Sequence, residues 1–537
     1  IYQCDWSSDV CSSDLCAKTP KGPDDVQPNT PLNGMPLGWP ADPDDLFVDE
    51  RGEPVRIDKA FSWEYPLSVH GLMHNVITNA WRGDPYKIDT LLIFMANMAW
   101  NSTMNAVEVR KMLNDKDETG EYKIPFIVVA DAFQSEMTAF ADLILPDTTY
   151  LERHDAMSML DRPISEFDGP VDSVRIPVLP PTGECKPFQE VLIELGSRLK
   201  LPAFVDAEGR RKYRDYPDFI THFETAPGSG IGFLAGWRGL GGEKSMKGEP
   251  NPNQWQMYEK NNCVFQYHLP KSYQYMRNWN QGYLQWAQAH GMTRHAEPIN
   301  IHIYSEVLQK FRLAAQGKTD GRRPPEHLKK RVATYFDPLP FYYEPLEATL
   351  SDKHKYPLSA VTQRPMAMYH SWDSQNAWLR QIHAYNYLYV NPLAARAQGI
   401  GDGDWIWVES QWGKVRCMAR YSEAVEPGTV WTWNAIGKAA GAWNLETNAN
   451  ECKQGFLLNH LISEELPANA DGEHLSNSDP VTGQAAWYDV RVRIYKAEEG
   501  SHDTFPQFTP VPSAPGTPPR RPWQSYFAGI FGKGEGK

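Results

Sequence analysis

Between residues 89 and 146 the chain repeats one pattern three times: a short apolar run, then a cluster of small polar side chains. The runs are "DTLLIFMAN" (89–97), "KIPFIVVAD" (123–131) and "DLILP" (142–146). Each is too short for a buried helix and rich enough in Leu, Ile, Val and Phe for a buried strand. The first gap, "NSTMNAVEVRKMLND" (101–115), has helical spacing after a Ser/Thr start signal, and 134–141 reads as a short helix. Strands alternating with helices predict an α/β domain with a doubly wound parallel sheet.

In such sheets ligands bind beyond the carboxyl ends of the strands. The first end offers Asn97, Trp100, Asn101 and Ser102, the second Asp131, Phe133, Ser135 and Glu136, and the third Asp147, Thr148 and Thr149. Helix caps and turns use the same residue types, so each residue taken singly stays open between the two roles. Their recurrence at three successive ends favours a ligand in one crevice.

Farther on, "FQEVLIELGSRLKLP" (188–202) is an amphipathic helix closed by proline. Residues 203–350 are rich in Trp, Tyr, Pro and Gly and show few clear periods. The glycine-rich 228–254 lacks the strand–GxGxxG–helix context of a dinucleotide loop and reads as a lid or a subunit contact. From about 357 the pattern turns to β. "GDGDWIWVESQWGKVRCMARY" (401–421) alternates around tight turns at 401–403 and 411–413, and "PGTVWTWN" (427–434) is another strand. The segment 391–400 is a short helix capped by Asn391 with Pro392 at its first position. These features predict a closed barrel. The proline-rich 500–537 is expected to be extended and to wrap a neighbour, with Arg520, Arg521 and Trp523 as contacts.

With 537 residues and 41% hydrophobic content the chain has ample material for several cores. A net charge of -14 carries no basic footprint for nucleic acid. The longest apolar window, 90–100, falls short of a membrane span, so the chain reads as soluble, with a seat on a membrane open only through a partner. Of the seven cysteines, Cys4, Cys11 and Cys16 match none of the common iron–sulfur runs, and no zinc motif occurs. Cys185, Cys263, Cys417 and Cys452 read as buried thiols in a reducing compartment. Residues 1–15 resemble a translated sequencing adapter, and the chain is expected to be the C-terminal part of a longer protein.

Two longer stretches carry a family resemblance. "DAFQSEMTAFADLILPDTTYLERHD" (131–155) resembles a segment of the molybdopterin oxidoreductases (the dimethyl sulfoxide reductase family). "NPLAARAQGIGDGDWIWVES" (391–410) resembles the dinucleotide-binding barrel of the same family. The resemblance spans about 25–497 and implies a double-psi form for the barrel. It divides the chain into 16–60 (end of an upstream region), 61–200 (part of the α/β domain), 201–350 (a connecting region), 351–497 (the barrel) and 498–537 (the tail).

The family likeness also implies a cofactor: bis(molybdopterin guanine dinucleotide) with molybdenum, tungsten being possible, at the foot of a funnel. The protein ligand to the metal and a [4Fe-4S] cluster are expected only upstream, with no metal ligand in this chain. Carried over, Asn97, Asn101 and Ser102 match the phosphate-side loop. Asp131, Phe133, Ser135 and Glu136 match the loop whose acidic residue reads guanine, and Asp147 matches the position after "LP". In "TQRPMAMYHSWDSQNAWL" (362–379) the contacts would be Thr362, Arg364, His370, Ser371 and Trp372, His370 being open to a satisfied interior role. Asn459 and Gln484 match segments that close over the second dinucleotide, and Asn391 is open between cap and contact. His70, His74 and Arg82 either line the funnel or belong to a surface or interface helix.

Within the family, "FMANMAWNSTMN", "LPDTTYLERHDAMSMLDRPIS" and "PNPNQWQMYEKNNC" are most similar to the catalytic subunits of the sulfite:quinone oxidoreductase branch. That likeness implies oxidation of a small inorganic sulfur anion, sulfite, to sulfate. Electrons would pass through an iron–sulfur ferredoxin-like subunit to a quinone-reacting membrane anchor subunit, with the chain cytoplasmic and peripherally membrane-associated. Thiosulfate, polysulfide and tetrathionate reductase subunits are the neighbouring alternative. A non-catalytic respiratory scaffold of the same fold is the alternative of another class.

Overall fold

The computed structural model describes residues 43–68, 71–158, 171–223, 253–266, 281–292, 294, 296, 304–368, 376–434, 436–437, 455–467, 475–487 and 490–498. They fall in two compact units, one of Asp42–Leu145 with Glu306–Lys537, the other containing Pro146–Ser305.

The first unit opens with the expected sheet. β1 (Thr90–Phe94) pairs in parallel with β2 (Phe126–Asp131), and β3 (Leu143–Pro146) completes the order β1-β2-β3. Alternate residues Leu91, Ile93, Ile127 and Val129 pack with Ile77 and Ala80 of helix Val76–Arg82 and with Val109 and Leu113 of helix Ala106–Asn114. That second helix starts later than its Ser/Thr signal predicts. Asn105, at φ 42°, precedes it without a side-chain cap. Residues 97–103 instead form a tight loop, where the N–H groups of Trp100 and Ser102 both donate to the Asn97 carbonyl (3.0 and 3.1 Å). The short helix expected at 134–141 is the 3₁₀ turn Glu136–Phe140.

In the second unit β4 (Asp155–Ser158), β5 (Val171–Arg175) and β6 (Val264–Gln266) form an antiparallel sheet in that order. The predicted helix at 188–202 is present as Phe188–Arg198. The stretch that lacked clear periods is more regular than expected and includes helices Tyr216–His222, Gln254–Lys260 and Gln281–Ala289. Here tertiary packing of a few large side chains, Val174, Ile220, Trp255 and Tyr258, replaces a long periodic stripe. The glycine-rich 228–254 lies almost entirely outside the described residues.

Back in the first unit, β7 (Leu358–Gln363), β8 (Tyr387–Val390), β9 (Trp405–Glu409), β10 (Lys414–Tyr421) and β11 (Thr429–Trp433) precede a small hairpin of β12 (Glu465–Leu466) and β13 (Leu475–Ser476). β14 (Arg491–Lys496) then closes a six-stranded barrel in the order β10-β8-β11-β7-β14-β9. Alternation puts Ala360, Leu388, Val390, Ile406, Val408, Val415, Cys417, Val430 and Val492 inside. The β9–β10 hairpin forms at 401–421 as predicted, Glu409 facing Lys414. Helix Pro392–Ala397 is capped by Asn391, whose Oδ1 accepts from the Leu393 N–H at 2.9 Å. Its Nδ2 donates to the Val425 carbonyl, so the cap reading accounts for this side chain. Met104, from the loop after β1, joins the barrel core. Among the described residues no helix is long and apolar enough to cross a membrane.

Candidate cofactor-binding site

The ends of β1 and β2 form one buried polar network. Asn97 Nδ2 donates to Glu136 Oε2 at 2.7 Å, and its Oδ1 accepts from the Met137 N–H at 3.1 Å. Asp131 folds back on its own turn, Oδ1 accepting from the Phe133 N–H at 2.9 Å and Oδ2 from Ser135 Oγ at 3.0 Å. Asn97, Asp131, Ser135 and Glu136 are all buried, and Phe133 is half-buried. Behind them Arg110 donates to the Ala99 carbonyl and lies over the Trp100 ring at 4.8 Å. Burial brings its pKa down to about 10, partly opposed by Glu136, so it stays charged.

The barrel contributes from the other side of the same unit. Asn459 Nδ2 donates to the carbonyls of Asn101 and Thr103 (2.9 and 2.8 Å), and the Asn105 N–H donates to the Asn459 carbonyl (2.7 Å). Trp100 Nε1 donates to the Gly437 carbonyl at 3.1 Å, with its ring edge-on to His460. Asn386, which the sequence pattern did not single out, is buried where β8 starts. It donates to the Trp433 and Phe456 carbonyls and accepts from Thr432 Oγ1. Thr362 lies opposite Thr432 on β7, followed by exposed Arg364. Gln484 is exposed in the turn 479–485, its carbonyl accepting from the Asp479 N–H. His370, Ser371 and Trp372 lie outside the described residues.

The buried polar atoms without a partner among the described residues include Asn101 Oδ1 after β1, Gln134 Nε2 after β2 and Asn434 Oδ1 after β11. A buried donor or acceptor left alone is costly, so a bound polar group or a water at these atoms would be stabilised. Two acceptors and a donor, with the Arg364 guanidinium after β7, suit a guanine dinucleotide: guanine supplies N–H donors and the diphosphate needs donors and positive charge. Gln134 and Asn434 are additions to the sequence-based set. Their signal was the same one, a polar residue just past an apolar run.

In the second unit Asp147 is buried, Oδ1 accepting from the Phe188 N–H (2.9 Å) and Oδ2 from Arg153 Nη1 (2.8 Å). Burial pushes its pKa up, and the Arg153 charge pulls against that. Thr148 is buried beside it. The Glu152 carboxylate accepts from the N–H and Oγ1 of Thr149 and of Thr182, and these bonds hold its pKa down to about 2.

The funnel candidates carry less free charge than their residue types suggest. His74 is buried, its Nε2 2.7 Å from Ser476 Oγ, which donates onward to Asn75 Oδ1. Burial lowers its pKa to about 4, so it is neutral near pH 7. Arg82 makes a two-pronged ion pair with Glu465. His70 lies outside the described residues. Among the described residues no group of three His, Cys, Asp or Glu forms a metal-ligand set.

Residues 80–198 match the family described as molybdopterin oxidoreductase, and 358–467 match the molybdopterin dinucleotide binding domain, the two regions that bear these loops. The chain is 75% identical, over 96% of its length, to a sulfite dehydrogenase subunit of Allochromatium vinosum. Two regions of the chain thus match the domains of the molybdopterin oxidoreductase family. More distant relatives include the thiosulfate reductase molybdopterin-containing subunit of Salmonella typhimurium, 24% identical over 76% of this chain and 46% of that protein. Acetylene hydratase from Pelobacter acetylenicus shares the fold at a TM-score of 0.51 and 19% identity, over 79% of this chain and 46% of that one. The chain spans about half the length of the molybdopterin oxidoreductases it matches, 54% in the case of the Allochromatium protein.

Proposed function

We propose that the chain is part of the catalytic subunit of a molybdenum oxidoreductase that oxidises sulfite to sulfate. The observation that carries this reading is the 75% identity, across nearly the whole chain, to the Allochromatium sulfite dehydrogenase protein. The chain would contribute a wall of the bis(molybdopterin guanine dinucleotide) site. Asn101, Gln134 and Asn434 would meet polar edges of the cofactor, and Arg364 its diphosphate. Asn97, Ser135, Glu136 and Asn459 would hold the loops in place, and by the family likeness Asp131 is the acidic residue proposed to read guanine. By the same likeness His370, Ser371, Trp372, Thr362, Ser102, Phe133 and Gln484 complete the proposed lining. The bound molybdenum pterin supplies two-electron oxygen-atom transfer, and the protein binds, orients and desolvates it.

On the same reading the sheet is doubly wound and the barrel has the double-psi form. Electrons leave through a [4Fe-4S] cluster and an iron–sulfur subunit to a quinone-reacting anchor, which seats the assembly on the cytoplasmic side of a membrane. The likeness to a thiosulfate reductase subunit favours one alternative substrate. Metal analysis, pterin fluorescence and dye-linked assays on the full-length protein test the proposal. Molybdenum, pterin and sulfite-dependent dye reduction are expected. Dye-linked turnover with thiosulfate but none with sulfite would move the assignment to the reductases, and a protein free of metal and pterin would make it a scaffold.

A further inference from the structure

In the second unit the Arg153 side chain is 1% exposed, yet only part of its guanidinium is used. Nη1 donates to Asp147, whereas Nε and Nη2 have no hydrogen-bond partner among the described residues. Those two N–H groups share one edge of the planar guanidinium. That edge is the two-donor fork that matches a pair of oxygens on a carboxylate, phosphate or sulfur oxyanion. Two further donors nearby are buried and unpartnered among the described residues: Thr148 Oγ1, next to Asp147, and Arg175 Nε. Both guanidinium groups lie against the Tyr150 ring, Arg153 Cζ at 5.0 Å and Arg175 Cζ at 4.5 Å from its centre. Both also reach Asp155 Oδ2, Arg175 Nη2 at 2.5 Å and Arg153 Nε at 3.5 Å, beyond a good hydrogen bond.

The acidic side chains around them have donors of their own. Asp147 accepts from Arg153 and Phe188, Asp155 from Arg175, and Glu152 from Thr149 and Thr182. None of these bonds fills the free fork of Arg153. Arg175, with a side chain 41% exposed, gives the cluster its open side, and Arg153 forms the inner wall.

We propose that Arg153, Arg175 and Thr148 form a seat for a multi-oxygen anion of the phosphate and sulfur-oxyanion class. Two sources share that chemistry, the diphosphate of a bound dinucleotide and a free inorganic oxyanion. The seat does not depend on which reaction the enzyme performs.

Replacing Arg153 would strand the buried Asp147 carboxylate, so the informative variants are Thr148→Val, which keeps the side-chain shape, and Arg175→Gln. On the full-length holoenzyme, melting is followed against added sulfate, sulfite and phosphate, and guanine nucleotide per chain is measured after release. With a free oxyanion in the seat, anions raise the melting midpoint of the parent. Each variant then binds them roughly ten- to a hundredfold more weakly at unchanged nucleotide content. With a cofactor diphosphate in the seat, added anions do nothing to the loaded parent and both variants carry less guanine nucleotide. If both variants match the parent in anion response and in nucleotide content, the fork is filled by water or by Asp155 and the proposal is overturned.

Discussion

The side-chain amide of Asn459 donates to the backbone carbonyl of Asn101 at 2.9 Å, joining residues 358 positions apart in the chain. The same nitrogen also reaches the Thr103 carbonyl, so one side chain from the barrel fixes the loop after β1. Asn459→Ala leaves both carbonyls short of a donor and is expected to cost about 1–3 kcal/mol in urea unfolding. Asn459→Asp should cost more, because a carboxylate oxygen would then face two carbonyls. A neutral outcome for both substitutions would remove Asn459 as the tie.

Gly455 sits where two stretches of backbone touch. A Cβ there would lie 2.3 Å from the Ile436 carbonyl oxygen and 2.5 Å from Gly437 Cα, neither of which belongs to a side chain that could swing away. Gly455→Ala is expected to destabilise by about 1–3 kcal/mol or more. It should also change the emission of Trp100, whose indole N–H holds the Gly437 carbonyl. Gly399→Ala is the control: its φ of 68° carries the left-handed penalty, but no atom lies within 4 Å. Equal losses for the two would mean that the close approach at Gly455 is relieved elsewhere.

The sheet and barrel were legible because each rests on local alternation. Leu91 and Ile93, or Val415 and Cys417, point inward by strand geometry alone. The onset of helix Ala106–Asn114 was not, because Ser102 and Thr103 look like caps until the carbonyl of Asn97 takes two N–H groups and folds that stretch into a loop. The polar strand ends were legible as segments, but which of their side chains tie the loops and which keep unpartnered atoms was not. The Asn97 side chain ties the loop after β1 to the turn after β2 and Asp131 binds its own turn, while the described residues with unpartnered buried atoms include Asn101, Gln134 and Asn434. The Asn459 tie and the barrel's contact with Trp100 depend on tertiary proximity, which no local period encodes.

Two buried histidines set an acid limit. Burial lowers His74 to about 4; burial and the nearby Arg110 charge lower His460 to about 3. In the unfolded chain both protonate near their ordinary value of about 6.5. The unfolded state therefore binds more protons as the pH falls, so the stability contributed by the neutral rings is complete above about 6.5 and is lost towards 4 and 3. Each ring contributes a slope of up to about 1.4 kcal/mol per pH unit in that window. His74→Gln should keep the contact with Ser476 and flatten the acid limb of a denaturation-against-pH curve. An unchanged limb would show that carboxylates alone set it.

Glu464 sets the opposite limit. Its side chain is buried, and neither carboxyl oxygen has a hydrogen-bond partner among the described residues. Burial, reinforced by the charge of Glu465 and opposed by that of Arg82, raises its pKa well above the ordinary value. The folded protein thus holds a proton that the unfolded chain releases near its ordinary value of about 4.3. The resulting stability is present below that pH and is lost as the pH rises through the folded value. Glu464→Gln keeps the shape and removes the charge. It is expected to match the parent near pH 4 and to be more stable at pH 9, where the parent must either bury an unpaired carboxylate or open locally. Chemical denaturation at the two pH values gives the difference directly. A gain that does not grow with pH would mean that the Glu464 carboxylate has found a partner and remains charged in the fold.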